Sequence, residues 1–210
     1  MYGDDYFERR DVDKSEWFDI ERALKALGVK KRRHRVLDVG GGTGDLARWL
    51  RGRGWLADYC DPHAPGAPYC RLPRDVPQAD AYVLQHVLEH VEDPYGALAA
   101  LLEKRPVAVV VVVPGHFSGD ETHYCNHFRL VVEEEYEGAW GRARICTLYG
   151  LLSAARSRGY QAVWTVDTRS LYAPWDADFV VAVGRRIGRL AELRLKHKQY
   201  LAWLLFHGYG

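Results

Sequence analysis

A run of glycines bounded by carboxylates is the part of the sequence best suited to bind a ligand. Residues 36–46 read Val-Leu-Asp-Val-Gly-Gly-Gly-Thr-Gly-Asp-Leu. Apolar residues lead into Asp38, four glycines follow within five positions, and helical periodicity begins at Asp45. That order predicts a buried strand, a turn nearly free of side chains and the N-terminus of a helix. Because glycine permits positive φ and leaves the main chain bare, a ligand can lie directly against such a turn.

The spacing of these glycines separates two classes of cofactor. A dinucleotide-binding turn has glycine at its first, third and sixth positions. Counted from Gly40, the third position is Gly42 but the sixth is Asp45, whose carboxylate would oppose a pyrophosphate. The pattern is instead Asp-x-Gly-x-Gly-x-Gly, which resembles the first motif of class I S-adenosylmethionine-dependent methyltransferases. The resemblance implies a set of cofactor-binding residues: Asp38, Gly40, Gly41, Gly42 and Gly44. The alternative is a glycine-rich loop that binds nothing.

An acidic residue at the end of the next strand is predicted to bind the ribose. Asp61 follows the predicted strand 55–60 and lies 21 residues after Gly40, close to the spacing at which an acidic residue meets a ribose. A carboxylate at the C-terminal edge of a strand can accept hydrogen bonds from both vicinal hydroxyls. Asp58 is the rival candidate, but the alternation of residues 56, 58 and 60 places it within the strand, so Asp61 is preferred.

A second segment of the sequence supports the same resemblance. Residues 88–90 read Leu-Glu-His, and residues 93–94 read Asp-Pro. This order, at this distance from the glycines, is similar to a segment of the same methyltransferase family. It implies that Gln85 and His86, where a strand ends, border the methionine moiety and the methyl group of the cofactor. Leu72 is a candidate for the adenine pocket, and His90 is expected to anchor a helix rather than to catalyse.

Histidines cluster after the strand predicted over residues 107–113, which ends at Pro114. His116, His123, Cys125 and His127 lie within twelve residues. Three interpretations are open: histidines bordering the acceptor, a structural loop, or a metal site. The spacing matches no standard zinc site, so no metal is predicted. The stretch also resembles the family's His-x-x-His-Phe loop, which implies that it borders the acceptor pocket. If the acceptor is a hydroxyl, a base is needed, and we expect His123 or His127 to act as that catalytic base.

The elements that position these residues indicate an α/β fold. The resemblance implies a Rossmann-like, doubly wound, seven-stranded sheet that is mostly parallel and has an antiparallel last strand. Residues 107–113 are continuously apolar and β-branched, which is typical of a central parallel strand. Five prolines between residues 62 and 77 exclude a full crossover helix there and leave a loop with a short strand near 69–72. The last two strands are expected over residues 160–166 and 179–183.

The sequence is predicted to have three parts. Residues 1–35 form an N-terminal helical extension, in which Ser15 is expected to cap a helix and Gly28 to end it. Residues 36–186 form the S-adenosylmethionine-binding domain, with residues 131–146 as either a cap over the acceptor or a surface flap. Residues 187–210 form an amphipathic C-terminal helix. This helix could pack on its own domain, bind a second copy of the chain or lie on a membrane surface.

The composition excludes several other classes of protein. The 210 residues include 29 basic and 28 acidic side chains, so net charge gives no support to wholesale phosphate binding. No apolar run is long enough to span a bilayer, and the polar N-terminus is unlike a signal peptide. The four cysteines contain no C-x-x-C pair, which favours a reduced, cytoplasmic setting; a Cys60–Cys70 bridge is compatible with the sequence but unsupported by it. The basic residues 30–35 are expected to form a solvated turn.

Together these features predict a methyltransferase that uses S-adenosylmethionine and acts on a small-molecule acceptor. A non-catalytic protein with the same fold, which binds a partner through its C-terminal helix, is one alternative. An RNA methyltransferase steered by residues 30–35 is another. The motif that families methylating nucleobase amines carry after the fourth strand is missing, since Leu-Gln-His stands at residues 84–86.

Overall fold

The computed structural model describes residues 14–70, 75–116, 127–130, 144–166 and 178–189, together with residue 192. The helices are α1 (Ser15–Ala26), α2 (Asp45–Gly52), a 3₁₀ helix (Leu88–His90), α3 (Pro94–Glu103) and α4 (Leu148–Ser157). The strands are β1 (Arg35–Val39), β2 (Leu56–Cys60), β3 (Ala81–Gln85), β4 (Ala108–His116), β5 (His127–Leu130), β6 (Arg144–Thr147), β7 (Gln161–Val166) and β8 (Asp178–Gly184).

Six of these strands form a doubly wound sheet in the order β2-β1-β3-β4-β8-β7. Strands β2, β1, β3 and β4 are parallel, and β8 inserts antiparallel between β4 and β7. This arrangement confirms the predicted fold, including the antiparallel last strand. The strand count differs from seven because the described residues between β2 and β3 form no strand, and Tyr69 and Cys70 are not part of one. Three prolines between residues 61 and 69 remove backbone donors that a strand would need.

Strand β4 is longer than the sequence predicted. It continues through Pro114 to His116, and beyond Val112 it no longer pairs with β3. Pro114 has no backbone N–H donor, but β4 has no hydrogen bond to β3 at this position that could be lost. The extension pairs antiparallel with β5, so His127 lies on a strand and not in the predicted loop. Strands β5 and β6 pair antiparallel in turn, and residues 131–143 between them lie outside the described residues.

The valine run of β4 is continuous because helices cover both faces of the sheet. Val109, Val111 and Val113 pack into one core with α3 and α4. Val110 and Val112 point the other way and pack into a second core with α1 and α2. A parallel strand buried on both faces has no position for a polar residue, which explains the absence of alternation.

Helix α1 lies on the sheet through apolar residues that recur at helical spacing. Trp17, Ile20, Leu24 and Leu27 are all buried, and they pack with residues of β1, β3 and β4. The predicted cap is wrong, because Ser15 already belongs to the helix and Lys14 is the N-cap residue, without a side-chain cap bond. Gly28, at φ +80°, follows the end of the helix as predicted.

Three further local features are the N-cap of α3, the basic turn before β1 and the pairing of two cysteines. Asp93 caps α3 by accepting a hydrogen bond from the Gly96 N–H at 2.8 Å. Residues 30–33 are exposed, which agrees with a solvated turn before β1. Cys60 and Cys70 form a disulfide with their Cα atoms 5.6 Å apart, which the sequence had left open.

Most of the predicted C-terminal helix, residues 193–210, lies outside the described residues. In the part of the chain that is described, none of the helices has the length and apolar character needed to cross a membrane.

Candidate functional site

The loop between β1 and α2 is built so that only glycine fits at several of its positions. Gly40, Gly42 and Gly44 have φ of +73°, +55° and +79°, a region that side chains disfavour. Gly41 does not need positive φ, but a Cβ there would lie 2.6 Å from Asp38 Oδ2. A Cβ on Gly44 would lie 2.6 Å from the ring of Tyr59. The loop therefore brings bare main chain to the carboxyl edge of the sheet, as the sequence predicted.

Asp38 lies beneath this loop, near the end of β1. Burial, together with the negative charge of Asp61, raises the pKa of Asp38 to about 7. A buried carboxyl group whose ionised form is disfavoured gains when a cation binds beside it. Its position next to Gly41 makes it suited to hold a cationic group of a ligand that rests on the loop.

Asp61 joins the end of β2 to the glycine loop. Its Oδ2 accepts a hydrogen bond from the Gly42 N–H at 2.9 Å, and its Oδ1 accepts from the N–H groups of His63 and Ala64 at 2.7 and 2.8 Å. A carboxylate offers about four acceptor directions, and these donors use three of them. Asp61 is thus turned towards the loop, at the edge where a ribose would lie.

The rival residue, Asp58, has a different environment. It is about half exposed and forms ion pairs with Arg35 at 2.9 Å and with Arg51 at 3.5 Å. These contacts hold Asp58 on the surface of β1 and β2, away from the loop. Asp61 as the ribose-binding residue remains a prediction.

Gln85 and His86 lie at the end of β3, which is the neighbour of β1. A Cβ on Gly40 would lie 2.6 Å from Cγ2 of Val87, so this strand end meets the glycine loop. Gln85 Nε2 donates to Glu16 Oε2 at 2.6 Å, and His86 Nε2 lies 3.0 Å from the same oxygen. On the other side of the ring, His86 Nδ1 is 3.3 Å from Glu89 Oε1.

These contacts set the charges of the pair formed by Glu16 and His86. Burial alone would lower the pKa of His86, but hydrogen bonds and charges of Glu16 and Glu89 raise it to about 10. Burial alone would raise the pKa of Glu16, but His86, together with a hydrogen bond from Gln85 and one shared with Asp178, lowers it to about 2. The pair is therefore an ion pair at neutral pH, and it ties α1 to the end of β3.

Sequence reasoning did not identify Glu16 or Asp178 as residues of this site. Both are buried, and Asp178 Oδ2 lies 4.0 Å from His86 Nε2. A signal for Glu16 was present, because it lies four residues before Ile20 and so belongs to the buried face of α1. Asp178 gave no such signal, since in the sequence it only precedes the apolar run of residues 179–183.

The side chains of three predicted site residues lie outside what the structure describes. Leu72 and His123 lie outside the described residues. His127 is on β5 opposite His116, but only its backbone position is described. The described residues thus bring together Asp38, the glycines, Asp61, Gln85 and His86 at one edge of the sheet, while the two proposed catalytic histidines remain predictions.

The chain is similar to known methyltransferases both in sequence and in fold. The model of a methyltransferase-domain family matches residues 13–164, which is more than half of the chain. No curated protein matches the sequence. Among solved structures, magnesium protoporphyrin IX methyltransferase from Synechocystis PCC 6803, with bound SAH, has a TM-score of 0.58 and 14% identity over 82% of this chain and 83% of its own.

Two further structures show how widely this fold is used. The 1,6-didemethyltoxoflavin-N1-methyltransferase of Burkholderia thailandensis has a TM-score of 0.55 and 16% identity, covering 86% of this chain and 83% of its own. The [4+2]-cyclase SpnF has a TM-score of 0.53 and 14% identity, covering 86% and 84%. At such low identity these likenesses show the fold alone, whereas the family model matches the sequence itself. The chain belongs to the methyltransferase-domain family, which confirms the resemblance of its glycine motif to class I S-adenosylmethionine-dependent methyltransferases.

Proposed function

We propose that the chain binds S-adenosylmethionine on the glycine loop and transfers its methyl group to a small-molecule acceptor. The observation that carries this proposal is the joint position of Asp38 and Asp61 around one loop of bare main chain. On the loop, Asp38 would suit the cationic amino-acid end of S-adenosylmethionine, and Asp61 would suit its ribose.

The residues of the loop fit the parts of the cofactor in turn. The buried carboxyl group of Asp38 would hold the cationic amino-acid end by Coulomb attraction and water. The loop glycines give the cofactor backbone room, and Asp61 would accept a hydrogen bond from a ribose hydroxyl. When bound, S-adenosylmethionine supplies an electrophilic methyl group on a sulfonium. The protein contributes proximity and alignment for an in-line displacement.

Two observations support a small-molecule acceptor. The names of two structural neighbours state small acceptors, a magnesium porphyrin and a didemethyltoxoflavin, and the latter was solved with that molecule bound. The basic residues 30–33 precede β1 and so lie at the amino edge of the parallel strands, whereas the glycine loop lies at the carboxyl edge. The position of this basic run does not favour RNA steering towards the loop.

The chemistry of the acceptor determines whether a base is needed. A hydroxyl acceptor must lose a proton, and His123 or His127 remains our prediction for the group that accepts it. A sulfur or amine acceptor would need no such base. Replacing both histidines by Asn should abolish transfer to a hydroxyl while the affinity for the cofactor is unchanged.

Isothermal titration calorimetry tests the proposal without knowledge of the acceptor. S-adenosylmethionine and S-adenosylhomocysteine should each bind with one site per chain. NAD⁺ is a matched control, because it shares the adenosine but carries the pyrophosphate that Asp45 would oppose, and it should give no heat. Absence of heat with both sulfur nucleosides would contradict the proposed function.

A further inference from the structure

Three side chains from distant parts of the sequence converge beside the end of β3. Glu16 comes from α1, His86 follows β3, and Asp178 begins β8. One ligand atom of each lies within 4.8 Å of the other two. The Nε2 atom of His86 is 3.0 Å from Glu16 Oε2 and 4.0 Å from Asp178 Oδ2.

These distances suit coordination of a single ion. Nitrogen and carboxylate-oxygen ligands bind divalent transition metals at about 2.0–2.2 Å. Ligand atoms around one such ion are therefore separated by roughly 3–4 Å in tetrahedral or wider arrangements. One imidazole and two carboxylates also form a mixed nitrogen and oxygen set, which suits ions such as Mn²⁺ and Zn²⁺.

The surroundings of His86 are those of a metal-binding histidine. Metal-ligating histidines usually direct their second ring nitrogen to a carboxylate, which fixes the orientation of the ring. Glu89 Oε1 occupies that position, 3.3 Å from Nδ1, and so leaves Nε2 to face Glu16 and Asp178. Gln85 similarly orients Glu16 through its hydrogen bond to Oε2.

Glu89 supplies an independent sign that positive charge belongs here. It is 3% exposed, and its second oxygen, Oε2, is buried without a hydrogen-bond partner among the residues that the structure describes. Three carboxyl groups (Glu16, Glu89 and Asp178) surround one imidazole, so the four side chains carry more acid than base. A buried carboxylate oxygen without a donor is costly unless a nearby cation offsets its charge.

We propose that Glu16, His86 Nε2 and Asp178 bind a divalent metal ion of the Mn²⁺-to-Zn²⁺ series, with Glu89 orienting the imidazole. The ion takes the place of the proton that Nε2 carries in the ion pair with Glu16, and this proton is released to solvent. The three ligands leave at least one coordination position of the ion for a ligand from outside the chain. The site lies at the carboxyl edge of the sheet, where Val87 links it to the glycine loop. The proposal goes beyond the proposed methyl transfer and does not rest on it.

Mn²⁺ is the probe of choice because it prefers carboxylate ligands and binds cysteine less readily than Zn²⁺ does. Electron paramagnetic resonance of free Mn²⁺, recorded with the full-length chain, should show one bound ion per chain. The isosteric variants Glu16→Gln and Asp178→Asn should each raise the Kd at least tenfold. Glu103→Gln, which changes an exposed carboxylate on α3, is the matched control and should leave the Kd unchanged.

Two results would overturn the proposal: no bound Mn²⁺ at millimolar concentration, or an unchanged Kd in both site variants. Crystals of the wild-type chain soaked in MnCl₂ test it without any substitution. Anomalous density should lie about 2.2 Å from His86 Nε2; density elsewhere alone would contradict the assignment. Both measurements are made without cofactor, so a failure of the metal site is distinguishable from a failure to bind S-adenosylhomocysteine.

Discussion

The charge of Asp38 depends on what lies on the glycine loop above it. Its pKa is raised to about 7, mainly by burial and further by the charge of Asp61, so the folded chain retains this proton at a pH where the unfolded chain has lost it. Retained protons make the free energy of unfolding fall as pH rises. The stability of the ligand-free chain should therefore decrease from about pH 4 to pH 7 through this group and then level off.

Asp38→Asn removes that penalty while keeping the shape of the side chain. At pH 8 the variant should be more stable than the wild type by about 1–3 kcal/mol, and at pH 5 the difference should be much smaller. Urea unfolding at both pH values measures the two differences. An equal difference at pH 5 and pH 8 would show that the charge of Asp38 is not responsible.

Asp61 gives the second prediction at the scale of single residues. Asp61→Asn replaces one acceptor oxygen by an amide donor, so the ribose loses a charge-assisted hydrogen bond. The Kd for S-adenosylhomocysteine should rise about tenfold or more. Asp58→Asn is the control, because Asp58 contacts only arginines on the sheet surface, and calorimetry should find its Kd unchanged. Equal effects of the two substitutions would contradict the assignment of the ribose to Asp61.

At the scale of elements, the turn between β1 and α2 has a shape that a methyl group would disturb. Gly44→Ala would place a Cβ at φ +79° and 2.6 Å from the Tyr59 ring, so binding of S-adenosylhomocysteine should fall at least tenfold and the unfolding midpoint should drop. Gly52→Ala, at the end of α2, meets no atom within 4 Å and should leave both values the same or slightly improved. A Gly44→Ala protein with normal binding would show that the loop does not contact the cofactor.

A second buried carboxylate of helix α1, Glu21, also makes polar contacts with the rest of the domain. Glu21 accepts hydrogen bonds from Arg53 at 2.7 Å and from Trp55 Nε1 at 3.1 Å, and it pairs with Lys31 at 2.9 Å. Burial alone would raise the pKa of Glu21, but these donors hold it well below its usual range.

Glu21→Gln should therefore reduce the free energy of unfolding by about 1–3 kcal/mol. Urea unfolding with Glu103→Gln as the exposed control checks this value, since a surface carboxylate should contribute less than about 1 kcal/mol. Equal stability of Glu21→Gln and wild type would mean that the contacts of Glu21 do not help to hold α1.

At the scale of the whole molecule, the sequence was sufficient to predict features that depend on residues close together in the chain. The glycine loop and the valine strand are each encoded within a dozen residues, so their local pattern was sufficient. Ser15 was a less reliable guide, because a hydroxyl near a helix start can lie just inside the helix. Strand β4 extended past Pro114 because its partner there is β5, and strand pairing cannot be read from a local pattern.

The contacts between distant segments were beyond the reach of the sequence. Glu16, His86 and Asp178 are separated by 70 and 92 positions, and only the packing of α1 and β8 against the sheet brings them together. The Cys60–Cys70 disulfide likewise depends on how the proline-rich loop returns to β2. Residues 36–186 remain our proposal for the cofactor-binding domain, with α1 contributing to its second core.

A crystal structure with bound S-adenosylhomocysteine tests the central claim most directly. We predict that the nucleoside lies on the glycine loop, with a ribose hydroxyl about 2.6–2.8 Å from the carboxylate of Asp61 and the amino group near Asp38. A complex in which Tyr59 and Val87 fill the space over the loop, with Asp61 bound only to its backbone donors, would contradict this account.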